Sequence, residues 1–263
     1  MSRTENLTPT PNTDKTPPKS LEDLALKLAR EGPVKTLPTP RLIRLLFNGI
    51  YIAETTEALL VWEHPYYPQY YLPAHAFLGV GAKGAKSEQR APIKNPEGIT
   101  IAHHYTLSVG NRSTTDSITF THNLSGPAAP LKGLTKFNFD AVDCWFEEDA
   151  PIYVHPKDPF KRIDILPSSR RVQVFVQGRQ VADATSSMHL YETGLPVRYY
   201  LPMTLVDVSV LRRSETKTQC PYKGEAEYYS ILAEGDDGGD LALKDVVWYY
   251  NRPTLESAKI EGE

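Results

Sequence analysis

The chain has 263 residues, a net charge of −3, 40% apolar residues and 23% charged residues, the proportions of a soluble globular protein long enough for two domains. That charge offers no basic field to nucleic-acid phosphates, and no run approaches the ~20 apolar residues that cross a bilayer. Only Cys144 and Cys220 occur, and the start "MSRTENLTPTPNTDK" has no apolar h-region; a cytoplasmic protein without disulfides, nucleic acid or membrane is therefore expected.

Residues 1–40 hold seven prolines and many Ser, Thr and Asn, the composition of a disordered tail. Within it, "SLEDLALKLAREGP" reads as a short amphipathic helix over 20–31. Ser20 caps it, Leu21, Leu24 and Leu28 share a face, and Gly32 and Pro33 stop it. Such a helix docks on the body of the protein or on a partner.

At Arg41 a repeat begins. Residues 41–73 align with 170–202 without a gap, with nine identities in 33 positions: Arg41, Gly49, Ala53, Thr56, Glu63, Tyr70, Tyr71, Leu72 and Pro73 with their counterparts. Unrelated segments of ordinary composition would share about two. An internal duplication follows. Asn48-Gly49 joins two alternating apolar runs, a strong sign of a tight hairpin, and Gln177-Gly178 stands at the same point of the second copy. The fold is expected to be mainly β, two tandem antiparallel β modules at 41–154 and 170–263.

Beyond the shared stretch the copies diverge. Trp145 and Trp248 read as equivalent late-strand positions 103 rather than 129 residues apart. The first unit then carries a longer excursion within 74–144, around "GAKGAKSEQRAPIKNPEG". Residues 155–169 are Pro-rich, an extended and fairly stiff connector. "EGDDGGD" (residues 234–240) reads as a hairpin tip without calcium-loop spacing.

Strand parity supplies the candidate site. In "MHLYE", Met188, Leu190 and Glu192 share one face while His189 and Tyr191 take the other; Leu59, Val61 and Glu63 share a face by the same count. Each unit thus aims a carboxylate at the apolar side of a sheet, where it needs partners or a raised pKa. The structural reading has it accept bonds from the following turn or a tyrosine. The functional reading makes Glu192 a general acid or base. "TQCPYKGEAEYY" has no like string in the first unit, and Lys223 can fold back to favour the Cys220 thiolate. Inert packing of that thiol is the alternative. His103 and His104 are strand neighbours facing opposite ways, so no metal site is expected.

The string "HPKDPFKRIDILPSSRRVQVFVQGRQVADATSSMHLYETGLPVRYYLP", with "TQCPYKGEAEYYS" and "VVWYYNRP", resembles the family called domain of unknown function 427. The likeness covers residues 155–253 strongly and 41–154 more weakly, where the Cys-Pro-Tyr-Lys-Gly motif is missing. It implies often-tandem, compact antiparallel β modules, barrel- or tent-like, and it supplies no established reaction. A nucleotidyltransferase-like label goes with the family, yet the sequence has no Gly-Ser with a following Asp-x-Asp metal pair. The family motif falls on Glu192, Thr193, Gly194, Tyr199, Tyr200, Pro202, Cys220, Pro221, Tyr222, Lys223, Gly224 and Trp248.

Two functions are weighed. One is a small-molecule-binding, cofactor-independent enzyme of isomerase, cyclase or lyase type, with its pocket in the second module. Glu192, Cys220 and Lys223 would be catalytic, and Tyr199, Tyr200, Tyr222, Trp248 and Glu63 would bind. The other is a non-catalytic protein-interaction module using Tyr-rich faces and the N-terminal helix. Self-association is left open.

Overall fold

A computed structural model of the chain describes residues 20–77, 84–234 and 240–263. Most of the Pro-rich tail and residues 235–239 of the acidic "EGDDGGD" stretch lie outside them. Helix α1 spans Leu21–Glu31; the Ser20 hydroxyl accepts the Asp23 N–H at 3.0 Å, and Gly32 ends the helix at φ 74°. Both caps relieve backbone groups that a helix terminus leaves unpaired. Leu21, Leu24, Ala25 and Leu28 are buried against the first module. The apolar face of this helix is therefore already covered, which corrects its use as a partner-docking surface.

The first module contains β1 (Lys35–Pro38), β2 (Ile43–Phe47), β3 (Ile50–Thr55), β4 (Leu59–Trp62), β5 (Gln69–Pro73), β6 (Ala85–Lys94), β7 (Thr100–Val109), β8 (Arg112–Phe120), β9 (Leu134–Phe137), β10 (Cys144–Glu147) and β11 (Ala150–Ile152). They form a seven-stranded sheet, β1-β4-β5-β9-β8-β7-β6, and a four-stranded sheet, β11-β10-β2-β3. A core of Leu45, Phe47, Tyr70, Leu72, Phe137 and Trp145 lies between them. On the other face of the large sheet, Val61, Tyr71, Ile118 and Phe120 meet α1, together with Leu131 from the short helix Gly126–Leu131. Alternate residues of β4 and β5 thus feed two cores, as the period of two requires.

The second module contains β12 (Ile163–Ser168), β13 (Val172–Val176), β14 (Arg179–Ala184), β15 (Ser187–Glu192), β16 (Arg198–Tyr200), β17 (Leu211–Cys220), β18 (Gly224–Glu234) and β19 (Asp240–Tyr249). These make sheets β12-β15-β16, β13-β14 and β17-β18-β19. Among the described residues all the strand pairs are antiparallel, and none of the sheets closes on itself.

The duplication is visible in three dimensions. Strands β2 to β5 correspond to β13 to β16, and both hairpins turn through two positive-φ residues, Asn48 and Gly49 at 48° and 75°, Gln177 and Gly178 at 48° and 73°. Only a turn of this hand matches the twist of the flanking strands. Each module also starts one strand earlier than the aligned segment: β1 pairs with β4, and β12 with β15. A connector ending at residue 169 is corrected accordingly.

Two other expectations are corrected. The meander β6-β7-β8 recurs as β17-β18-β19, so residues 84–98 are common architecture rather than surplus. The first module's extra strands are β9, β10 and β11, at its end. Trp145 and Trp248 are therefore not equivalent, because Trp145 is on β10 and Trp248 on the third strand of a meander. The ring pairs fix the true match: Tyr71 meets Phe120 at 6.1 Å and Tyr200 meets Tyr250 at 6.4 Å. Counting back two residues makes Trp248 the counterpart of Ile118.

The modules meet through the segment between them. The Trp62 indole N–H donates to the buried Asp158 carboxylate at 3.2 Å, and the Asp158 backbone N–H donates to the Tyr222 hydroxyl at 2.9 Å. Lys35 lies over the rings of Trp62 and Phe160, and His155 stacks on Tyr67 at 4.0 Å.

Candidate functional site

Glu192 ends β15 on the face that carries Leu190, a residue fully buried with Ile165, Tyr200, Ala226, Tyr250 and Ile260. The parity argument thus holds for the inward carboxylate. Its partner comes from the tight turn between β17 and β18, where Cys220 pairs with Gly224 and Gly224 takes φ 98°. A Cβ there would stand 3.3 Å from the Arg252 carbonyl oxygen, so this turn needs glycine on two counts. Lys223 Nζ donates to Glu192 Oε2 at 2.9 Å, with the two side chains 12% and 9% exposed.

Burial pulls the Lys223 pKa down, but Cys220 and the Glu192 carboxylate outweigh it and hold the ammonium above its usual range. The Cys220 thiol interacts electrostatically with Lys223, Tyr200, Tyr222 and Tyr250. Burial raises Tyr200 and Tyr250, and it pushes Tyr222 up to about 12, so all three phenols stay protonated near neutrality. Tyr200 accepts the Trp248 indole N–H at 3.3 Å. Six of the eight predicted residues therefore gather at this end of the module: Glu192, Cys220, Lys223, Tyr200, Tyr222 and Trp248.

The other two do not join them. Tyr199 pairs with His189 across β15 and β16, on the opposite face from Tyr200. Glu63 belongs to the first module, where Lys136 Nζ lies 3.2 Å from its carboxylate and the Tyr71 hydroxyl donates at 2.9 Å. Both carboxylates therefore have a lysine, but from different places: Lys136 is on β9 and Lys223 is in the β17–β18 turn. Sequence reasoning missed Lys136, because no spacing rule connects β4 to a strand more than 70 residues later. Tyr222 also serves the junction, through the bond from Asp158, and its carbonyl accepts from Thr254 and Ser257.

The sites differ in their cover. In the first module β9 runs between β5 and β8, pairing Lys136 with both Tyr71 and Ile118. No strand among the described residues lies between β16 and β19. Ile118 is accordingly fully buried, whereas Trp248 is 36% exposed. Two surface clefts lie elsewhere, and the duplication relates them. One, about 360 Å³, is lined by Pro167, Ser168, Ser169, Ser187 and Met188 among others; the second, about 550 Å³, by Pro38, Thr39, Pro40, Ala58 and Leu59 among others. None of the eight predicted residues lines either cleft.

A family described as Domain of unknown function (DUF427) matches residues 35–148 and 164–263. The chain belongs to this family. The two DUF427 segments begin at β1 and β12, the strands by which each module precedes the aligned repeat. No curated protein matches the chain. Among the described residues, no helix is long and apolar enough to cross a membrane.

Proposed function

We propose that the second module binds a small polar organic molecule beside β16 and β19 and moves protons on it without a cofactor. Glu192 is the general acid or base, Lys223 holds its carboxylate in place through the ion pair, and Cys220 is the polar or nucleophilic third member. Tyr200 and Trp248 wall the site. The reaction class is isomerisation, cyclisation or elimination, in which one proton leaves carbon and another is returned.

One observation carries this reading. The Lys223–Glu192 pair, 12% and 9% exposed, borders a strand position that β9 fills in the first module and that no described strand fills in the second. A nearly buried ion pair strengthens electrostatically when a ligand excludes the last water.

The test is a thermal-shift screen of the full chain against small hydroxy, keto and amino acids. A productive ligand is expected to raise Tm by about 2 °C or more. The shift should vanish in Glu192→Gln and Lys223→Met but persist in Glu63→Gln. In D2O, the bound ligand should exchange a carbon-bound proton, read by NMR, and Glu192→Gln should stop the exchange. A ligand shift unchanged in Glu192→Gln removes the acid–base reading. Loss of fold in that variant, with no ligand found for the parent chain, assigns the pair to the architecture.

A further inference from the structure

The opposite face of the second module carries a different unpartnered arrangement, and it does not depend on the acid–base reading. The first module shows what completes that face. Strand β10 pairs antiparallel with β2, setting Trp145 opposite Leu45 and Glu147 opposite Ile43. Trp145 stacks on Tyr70 with ring centroids 6.2 Å apart. Two residues later on the same face, the Glu147 carboxylate accepts from the Tyr70 hydroxyl at 2.9 Å and from Arg41 Nη1 at 2.5 Å.

Arg170 and Tyr199 are the duplicated counterparts of Arg41 and Tyr70, and β13 is the counterpart of β2. Here the third partner differs. Among the described residues β13 pairs with β14 alone. Tyr199 is 52% exposed where Tyr70 is 2%, and Val174 is 37% exposed where Leu45 is fully buried. Phe175 also stands in solvent. Beneath them, His189 Nδ1 accepts from Arg170 Nη2 at 2.7 Å, which assigns its proton to Nε2; that atom is buried without a partner. The His189 ring meets Tyr199 edge-on at 4.8 Å. An apolar strand edge of this kind templates further pairing unless something covers it, and a two-stranded ribbon is marginal alone.

We propose that the second module captures an extended partner peptide along the free edge of β13, one carrying an aromatic residue and, two positions later, a carboxylate. Its backbone pairs antiparallel with β13, the aromatic ring stacks on Tyr199, and the carboxylate meets the Tyr199 hydroxyl and Arg170. Alternate side chains then give specificity while the main chain gives affinity. The guanidinium and phenol are the same two donors that hold Glu147 in the first module, and two donors on one carboxylate select for charge as well as position. Residues 1–19 of the chain hold no aromatic residue and do not fit, and β10 is already seated on β2.

The probe is the chain's own solution to the same geometry: a fluorescein-labelled peptide of residues 142–149, VDCWFEED, with its cysteine changed to serine, titrated into the full chain and read by anisotropy. Saturable binding at one peptide per chain is expected. Affinity should fall about tenfold or more in Arg170→Ala and in Tyr199→Ala, and likewise when the peptide glutamate matching Glu147 becomes glutamine. Far-UV circular dichroism checks that both variants keep the parent fold. No saturation, or equal affinity for the variants and the neutralised peptide, overturns the proposal. Displacement by free glutamate at concentrations comparable to the peptide overturns it in favour of a small-anion site. A concentration-dependent dimer that the peptide disperses overturns it in favour of a second copy of the chain.

Discussion

In the first module both faces are completed: β9 joins β5 to β8 beside Glu63, and β10 completes the sheet of β2 and β3. In the second module neither strand has a counterpart among the described residues, and the strands fall into three separate sheets. The ion pair survives the difference because a carboxylate on the apolar face of a sheet is too costly to leave alone. The lysine is supplied from β9 in one case and from a turn in the other. Cover does not survive it. Ile118 gives way to an exposed Trp248, and Tyr70 to an exposed Tyr199. The comparison separates what the fold requires, a neutralised glutamate, from what is particular to the second module: a neighbouring thiol, an accessible indole and an unpaired apolar edge.

The largest expected effect tests the corrected equivalence of the tryptophans. Trp145→Ala, which empties a fully enclosed site, should cost about 3–5 kcal/mol in urea denaturation, whereas Trp248→Ala should cost about 1 kcal/mol. Equal losses would restore the equivalence. Next come the two lysines. Lys136→Met leaves Glu63 without its cation and should cost about 3 kcal/mol; Lys223→Met should cost less, because the Lys223 side chain is 12% exposed against 4% for Lys136, so water more readily takes the place of its ammonium. A greater loss at Lys223 would break the contrast in cover.

The hairpins should show where the modules agree. Gly49 and Gly178 both take positive φ, and a Cβ at either position would meet nothing within 4 Å. Alanine should therefore cost about 1 kcal/mol at each, through backbone strain alone. The smallest effect is in acid. Glu227 is held at about 2 by hydrogen bonds from Tyr249 and Asn251 and by Arg213, and Asp183 at about 2 by Arg171. Folded values below the ordinary 4.5 and 3.8 mean stability that is present above pH 4.5 and lost as pH falls towards 2. Carboxylate NMR titration should show both values, and Glu227→Gln should flatten that part of the stability profile.

Local chemistry made much of the fold legible. The capped helix, the two Gly hairpins and the inward glutamates all follow from patterns within about a dozen residues, where caps, φ preferences and strand period act directly. The family motif puts Tyr199 among the site walls, yet neighbouring strand residues must face apart, and it lies on the other side. The tryptophans misled for a related reason: a shared residue type late in each copy carries no information about which strand bears it.

From the sequence alone came the duplication, the mainly β class, the helix and the direction of both carboxylates, since each is set by short-range sterics and periodicity. Tertiary structure alone decided which lysine neutralises each carboxylate, which strands stand uncovered, and how Asp158 joins Trp62 to Tyr222. Those are contacts between residues as much as 96 positions apart, and their geometry exists only once the sheets have been laid against one another.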